Sequence, residues 1–155
     1  MAGEAYDSIM SISLEKTDAL ENIPVAHQSR RFQQHYQFPY HLGLLTHYHG
    51  MATAKGSCGD MITTTLRLDD NNMIIDIGQQ PQGCAFTIAC ASAVSILVVG
   101  KTADDALRIT PEDVEKELGG LPKDHLHCAR LAVNTLGEAL ESAYRNITLL
   151  KSNKE

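Results

Sequence analysis

Three cysteines sit in distinct polar settings: Gly56-Ser57-Cys58-Gly59-Asp60, Gly83-Cys84-Ala85 and Leu126-His127-Cys128. Successive members lie 26 and then 44 residues apart. Thiolates spaced this widely cannot form a local metal knuckle, so only a folded domain could bring them to one point. Sulfur ligands select zinc or iron–sulfur clusters over hard cations. Two of the cysteines have a second donor beside them, Asp60 two residues after Cys58 and His127 directly before Cys128. A structural zinc site would be expected to use four Cys or His ligands. A carboxylate, harder and more weakly held, makes more sense where the bound species must be released. The set therefore supports a soft-ligand site with one exchangeable position, and both Asp60 and His127 stand as candidates for the fourth donor.

The remaining candidates read more plainly. Cys90 follows Cys84 by six residues, which places the two on different sides of a helix with about 3.6 residues per turn. A lone cysteine there is a small buried hydrophobe. His41, His47 and His49 have no partner motif nearby and are expected to be structural or solvent-facing. Asp69-Asp70-Asn71-Asn72 lacks the glycine and terminal glutamate of a calcium loop and reads as a turn.

Elements that could position the thiolates are visible around them. From Met61, Ile62, Thr64, Leu66 and Leu68 alternate with Thr63, Thr65 and Arg67, the pattern of a half-buried strand. The Asp69–Asn72 turn and the apolar run Met73 to Ile77 complete a hairpin. A third strand before Cys58 is expected, because a lone hairpin is marginal in water. After Gly83 the chain reads as helical. Cys84 to Val99 is rich in Ala, Ser and β-branched residues and ends at Gly100. Thr102 caps a short helix, and Thr110-Pro111-Glu112-Asp113 opens another that runs to Leu118. Pro122 is expected to start the last helix, with Leu136, Ala139, Leu140, Ala143 and Ile147 as its apolar stripe. At a helix N-terminus, Cys84 would have its thiolate favoured by the macrodipole. Residues 1 to about 37 read as a partly ordered extension with a helix near Gln28 to Tyr36, and residues 151–155 as a polar tail.

Bulk properties exclude several classes. The 155 residues fit one domain, and 43% hydrophobic content supplies a core. Thirteen basic against nineteen acidic residues and no tryptophan argue against nucleic-acid binding by a phosphate-neutralising patch or a stacking platform. The helical run from Cys84 to Val99 is only 16 residues, too short for a membrane span. Glu4, Asp7 and Glu15 at the start do not make a secretory signal. With four cysteines, that points to a reducing, cytoplasmic setting and to free or metal-bound thiols.

Taken together, these residues resemble the iron–sulfur cluster assembly scaffold family, the IscU type and the equivalent N-terminal domain of NifU. The resemblance rests on Cys58-Gly59-Asp60 before a strand and Gly83-Cys84 at a helix start. Gly100-Lys101-Thr102 with Asp105-Ala106-Leu107, and Leu121-Pro122 leading into Leu126-His127-Cys128, also carry it. It covers about residues 38 to 147, within an expected scaffold domain at 38–150.

The resemblance implies an α+β fold, a three-stranded antiparallel sheet covered by helices, with Cys58, Cys84 and Cys128 near one exposed edge. It implies a carrier that turns over no substrate: a cysteine desulfurase delivers persulfide sulfur, an iron donor supplies iron, and a transient [2Fe–2S] cluster assembles with Asp60 or His127 completing the ligand set. Recipient apo-proteins or cluster carriers then take the cluster. By the same resemblance Cys128 is the candidate persulfide acceptor, and zinc could occupy the site in the isolated protein. The alternative is a zinc-binding persulfide acceptor working with the desulfurase. The chain lacks the long insertion between the second and third cysteines that marks the zinc-dependent SufU branch. Members with a dedicated Hsp70 partner carry Leu-Pro-Pro-Val-Lys where this chain has Leu121-Pro122-Lys123-Asp124-His125, which leaves an Hsp70 chaperone in doubt as a partner.

Overall fold

The computed structural model describes residues 25–154; the rest of the expected N-terminal extension lies outside the described residues. Three antiparallel strands, β1 (Gly50–Lys55), β2 (Met61–Leu68) and β3 (Ile74–Gln82), form a sheet in the order β1-β2-β3. The third strand expected before Cys58 is thus β1. The strand after the Asp69–Asn72 turn is longer than expected: it continues through Gly78 and Pro81 to Gln82. Pro81 is tolerated because its nitrogen, like that of Gln79 two residues earlier, which donates to the His41 carbonyl, faces away from β2, so no N–H is missing from the β2–β3 ladder.

Register decides where the chemistry falls. Lys55 pairs with Met61, and Met61 pairs with Gln82. These three residues form one row at the end of the sheet. The β1–β2 connection, carrying Cys58 and Asp60, and the segment Gly83-Cys84 leaving β3 must therefore emerge side by side.

On β2, Ile62, Thr64, Leu66 and Leu68 are buried, as the alternation requires. Thr65, expected on the opposite, wetter face, is also fully buried. The segment 41–45 covers that face: the Leu45 N–H donates to the Thr65 hydroxyl over 3.1 Å, and Leu42 bridges to Gln79.

Six helical pieces complete the described architecture apart from a 3-10 turn at Val25–His27: α1 (Arg30–Gln37), α2 (Ala85–Val98), α3 (Ala103–Ala106), α4 (Pro111–Glu117), a 3-10 turn (Lys123–His125) and α5 (Leu126–Lys154). Helix α2 has no polar face to speak of. Phe86, Ala89, Cys90, Ala93, Val94 and Val98 are all buried, so it runs through the interior, as an all-round apolar helix must. Thr110 and Asp113 form a capping box at the start of α4, with Pro111 in its first turn. The last helix does not begin at Pro122. Pro122 instead precedes the 3-10 turn, closed by the His125 N–H on the Pro122 carbonyl at 2.9 Å, and α5 proper starts at Leu126. Leu136, Ala139, Leu140 and Ala143 are buried as its stripe, and α5 continues through Lys154 into the stretch read as a tail.

The helix expected near Gln28 to Tyr36 is α1, capped by Ser29. Its Phe32 is fully buried, with its ring 5.0 Å from that of Phe86. His35, also buried, joins Ser92 of α2 (2.7 Å) to Glu117 of α4 (3.0 Å). This part of the N-terminal segment thus contributes to the core. Replacing a fully buried phenylalanine by alanine costs about 3–5 kcal/mol, so Phe32→Ala should lower the urea unfolding midpoint by a corresponding amount. A change within about 0.5 kcal/mol, typical of surface positions, would show that α1 is not part of the cooperative core.

Candidate metal and sulfur site

The row at the end of the sheet carries the site. The β1–β2 connection turns at Gly59, whose φ of 91° lies in the left-handed region open to glycine. That turn, closed by the Gly56 N–H on the Asp60 carbonyl at 2.7 Å, leaves Cys58 exposed and points Asp60 inward, 8% exposed. Cys84 is the N-cap of α2 and is exposed. Cys128 lies in the first turn of α5 and is fully buried, below the edge where the resemblance placed all three thiols. Of the three thiols gathered at that edge, two are exposed and the third is buried. The third sinks because α5 lays its apolar stripe on the sheet and Cys128 lies in that packed first turn.

All five expected site residues converge. Cys58 Sγ is 3.2 Å from His127 Nε2, and Cys128 Sγ is 3.6 Å from the same nitrogen. Asp60 Oδ2 stands 3.9 Å from Cys84 Sγ and 3.8 Å from Cys128 Sγ. Asp60 and His127 are therefore both in reach of the thiols, and the geometry does not choose between them. Cys90 is fully buried in α2; burial, and then the nearby Cys84, pushes its thiol up, so it stays protonated and falls in neither donor group. His41 bonds Ser95 (3.0 Å), and His49 accepts from the Leu68 N–H (2.9 Å), which are structural roles.

Two residues were not singled out from sequence. Thr87, fully buried in the first turn of α2, donates its hydroxyl to Asp60 Oδ2 and lies 3.6 and 3.7 Å from the sulfurs of Cys84 and Cys128. Its position three residues after an N-cap cysteine is the one local signal that could have found it. His125, in the 3-10 turn, falls into a donor group with Cys84 and Cys128, just as Cys58, Asp60 and His127 form another, each with its donor atoms within 4.8 Å of one another.

Proton distribution follows from these contacts. The Cys84 thiol is drawn down to about 5, chiefly by a hydrogen bond from the Cys128 thiol; burial opposes this, and the Thr87 hydroxyl and the α2 backbone N–H groups add to the lowering. Cys128 is pushed up, first because it is the donor in that bond and then by burial. The two sulfurs share one proton, held on Cys128. Burial pushes the Asp60 carboxyl up, but the Thr87 hydroxyl, the Cys58 and Cys128 thiols and the nearby His127 together hold it below the usual carboxylate range. Gly83 makes the Asp60–Thr87 contact possible. A Cβ there would lie 2.8 Å from Asp60 Cγ and 3.1 Å from the Thr87 hydroxyl.

A three-stranded antiparallel sheet packed against helices, with thiolate, carboxylate and imidazole donors gathered at one end, makes an α+β domain with a donor set able to hold a soft metal. The model of the NifU-like N-terminal domain family matches residues 27–150 of this chain. The chain belongs to that family, and the matched stretch takes in α1 as well as the region from residue 38. An Archaeoglobus fulgidus protein named iron-sulfur cluster assembly scaffold protein IscU 1 is 37% identical over 122 residues, spanning 78% of this chain and 79% of its own length. A Drosophila melanogaster protein named iron-sulfur cluster assembly enzyme IscU is 32% identical over 126 residues, 78% of this chain and 80% of its own length. The crystal structure of a NifU-like protein (N-terminal) from Brucella abortus superposes with a TM-score of 0.64 at 18% identity, covering 76% of this chain and 94% of that one, and shows the fold.

With its thiol drawn down to about 5, Cys84 is a thiolate at neutral pH and is protonated as the pH falls through that value. Alkylation of the metal-free, reduced protein by iodoacetamide, followed residue by residue by mass spectrometry, should therefore show a Cys84 rate that halves near pH 5 and is flat from about pH 6.5 to 8. A rate still climbing through pH 8 would place the proton on Cys84 instead.

Proposed function

We propose that this protein is an iron–sulfur cluster assembly scaffold. The observation that carries the reading is the meeting of Cys58, Asp60, Cys84, His127 and Cys128 at one end of the sheet in a chain of this family. Iron and sulfur are cargo here, not a resident cofactor. A [2Fe–2S] cluster takes four protein ligands, which Cys58, Cys84, Cys128 and one of Asp60 or His127 supply. The donor set also suits zinc in the isolated protein.

The thiols divide the work. A thiolate that attacks the terminal sulfur of a desulfurase persulfide forms a new S–S bond, and the desulfurase cysteine leaves as thiolate. Cys128 is the acceptor the family pattern points to. It is fully buried, with Thr87, Asp60 and His127 against its sulfur, so these side chains must shift for a large sulfur donor to reach it. Cys128 must lose its proton before it attacks, and because the Cys84 thiolate is the weaker base, that proton leaves to solvent or to the sulfur donor. Reduction of the bound sulfur to sulfide needs two further electrons from an external reductant. Asp60 and His127 are the exchangeable donors: a carboxylate bonds iron less firmly than a thiolate, and release to a recipient protein follows from that weakness. Four free cysteines suit a reducing compartment such as the cytoplasm. Among the described residues no helix is long and apolar enough to cross a membrane.

Anaerobic incubation of the reduced protein with ferrous iron and sulfide should give visible sulfide-to-iron absorption at two irons per chain. Cys84→Ala and Cys128→Ala should each lose most of it, and Asp60→Ala should retain cluster but release it more slowly to an apo-ferredoxin. Normal reconstitution in both cysteine variants would overturn the assignment. Zinc that iron cannot displace, with faster desulfurase turnover on adding this protein, would favour the persulfide-acceptor alternative.

A further inference from the structure

We infer that His125 is an additional metal donor, so that this chain binds two soft-ligand divalent ions side by side before any sulfide bridges them. The inference rests on the scaffold reading and extends it to how iron is loaded.

Six donors, not four, gather at the end of the sheet. Cys58, Asp60 and His127 form one set, and Cys84, His125 and Cys128 a second, with no residue in common. Metal bonds of about 2.0–2.3 Å put tetrahedral neighbours about 3.3–3.8 Å apart, so donors within 4.8 Å of one another close on an ion by small side-chain rotations. The sets abut: Cys128 Sγ is 3.8 Å from Asp60 Oδ2 and 3.6 Å from His127 Nε2. Two ions seated in them would be near neighbours, as bridging by sulfide requires.

The placement of His125 is fixed by the fold. Its ring lies flat on Phe86, with centroids 3.8 Å apart and planes 12° from parallel. Phe86 is itself a buried residue of α2, so the imidazole rests on a rigid floor. Among the described residues its Nδ1 is buried without a hydrogen-bond partner. A buried ring nitrogen left so is costly unless something binds the ring. The rings of His125, in the 3-10 turn, and His127, at the start of α5, lie 6.0 Å apart, and His127 reaches both Cys58 (3.2 Å) and Cys128 (3.6 Å) while His125 groups with Cys84 and Cys128. His125 also stands in the Leu121–His125 stretch where this chain departs from the Leu-Pro-Pro-Val-Lys pattern. The extra donor thus belongs to this sequence and is not shared by that motif.

A four-ligand cluster leaves two of six donors in excess. The surplus imidazole holds the second ion while it is still mononuclear and yields its place as sulfide arrives. No redox change is involved, only exchange of nitrogen for sulfide at the metal.

Cobalt(II), titrated anaerobically into the reduced, metal-free full chain, tests this through its d–d and thiolate-to-cobalt absorption. Two ions per chain are expected for the natural sequence. His125→Phe keeps the stack on Phe86 and removes both nitrogens; it should bind one ion tightly and the second about tenfold or more weaker. A single ion in the natural sequence overturns the inference without any variant, and so do two equally tight ions in His125→Phe. Failure of the scaffold reading would look different: two cobalt ions bound, yet no cluster absorption after iron and sulfide are added.

Discussion

The contact on which the site depends is the hydrogen bond from Thr87 to Asp60. A carboxylate only 8% exposed must find partners or give up its charge. Thr87 supplies the nearest one from the first turn of α2, while Asp60 itself belongs to the entry into β2. One bond therefore ties the end of the sheet to the start of the central helix, which are the two places that carry Cys58 and Cys84. Gly83 is required between them, since any side chain there would drive the carboxylate off the hydroxyl. The sulfurs of Cys84 and Cys128 then settle on the same carboxylate at 3.9 and 3.8 Å, and the site acquires its shape.

Charge is arranged for loading and for unloading. Cys84 sits exposed at a helix N-terminus, where backbone N–H groups and the Cys128 thiol stabilise its thiolate. Its partner, Cys128, keeps the proton. On the proposed reading, the firm donors are the sulfurs, which come from the loop, the start of α2 and the start of α5. The yielding ones, Asp60 and the imidazoles, are interleaved among them. A tight cage would keep its contents. This edge mixes bond strengths, which suits transient custody.

Much of this was legible in the sequence. The alternation on β2, the capping box at Thr110 and Asp113, and the apolar stripe on α5 each specify local structure through their own periodicity or chemistry. The motif residues foretold which thiols would meet. What remained hidden depended on tertiary placement. Cys128 is buried because α5 lies on the sheet, which no local pattern records. Thr65 is covered by the irregular segment 41–45, and β3 runs past Pro81 because the proline nitrogen faces away from β2. Thr87 looked like one more small residue in an Ala/Ser-rich helix. His125 looked like part of a polar link, and only its stacking on Phe86 shows where the ring lies.

The length of α5 has a consequence for the molecule as a whole. Its 29 residues, at about 1.5 Å each, make a rod about 43 Å long with Cys128 near one end. Its last turns reach the β2–β3 turn, where Ile147, Leu150 and Lys151 line a cleft with Leu68, Asp69 and Asn72, and they carry the exposed Leu149 and Leu150. That far end stands several screening lengths from the sulfurs, given a Debye length of about 8 Å in physiological salt. Ions gathering around the distal turns, or a neighbour resting on them, leave the proton shared by Cys84 and Cys128 where it is.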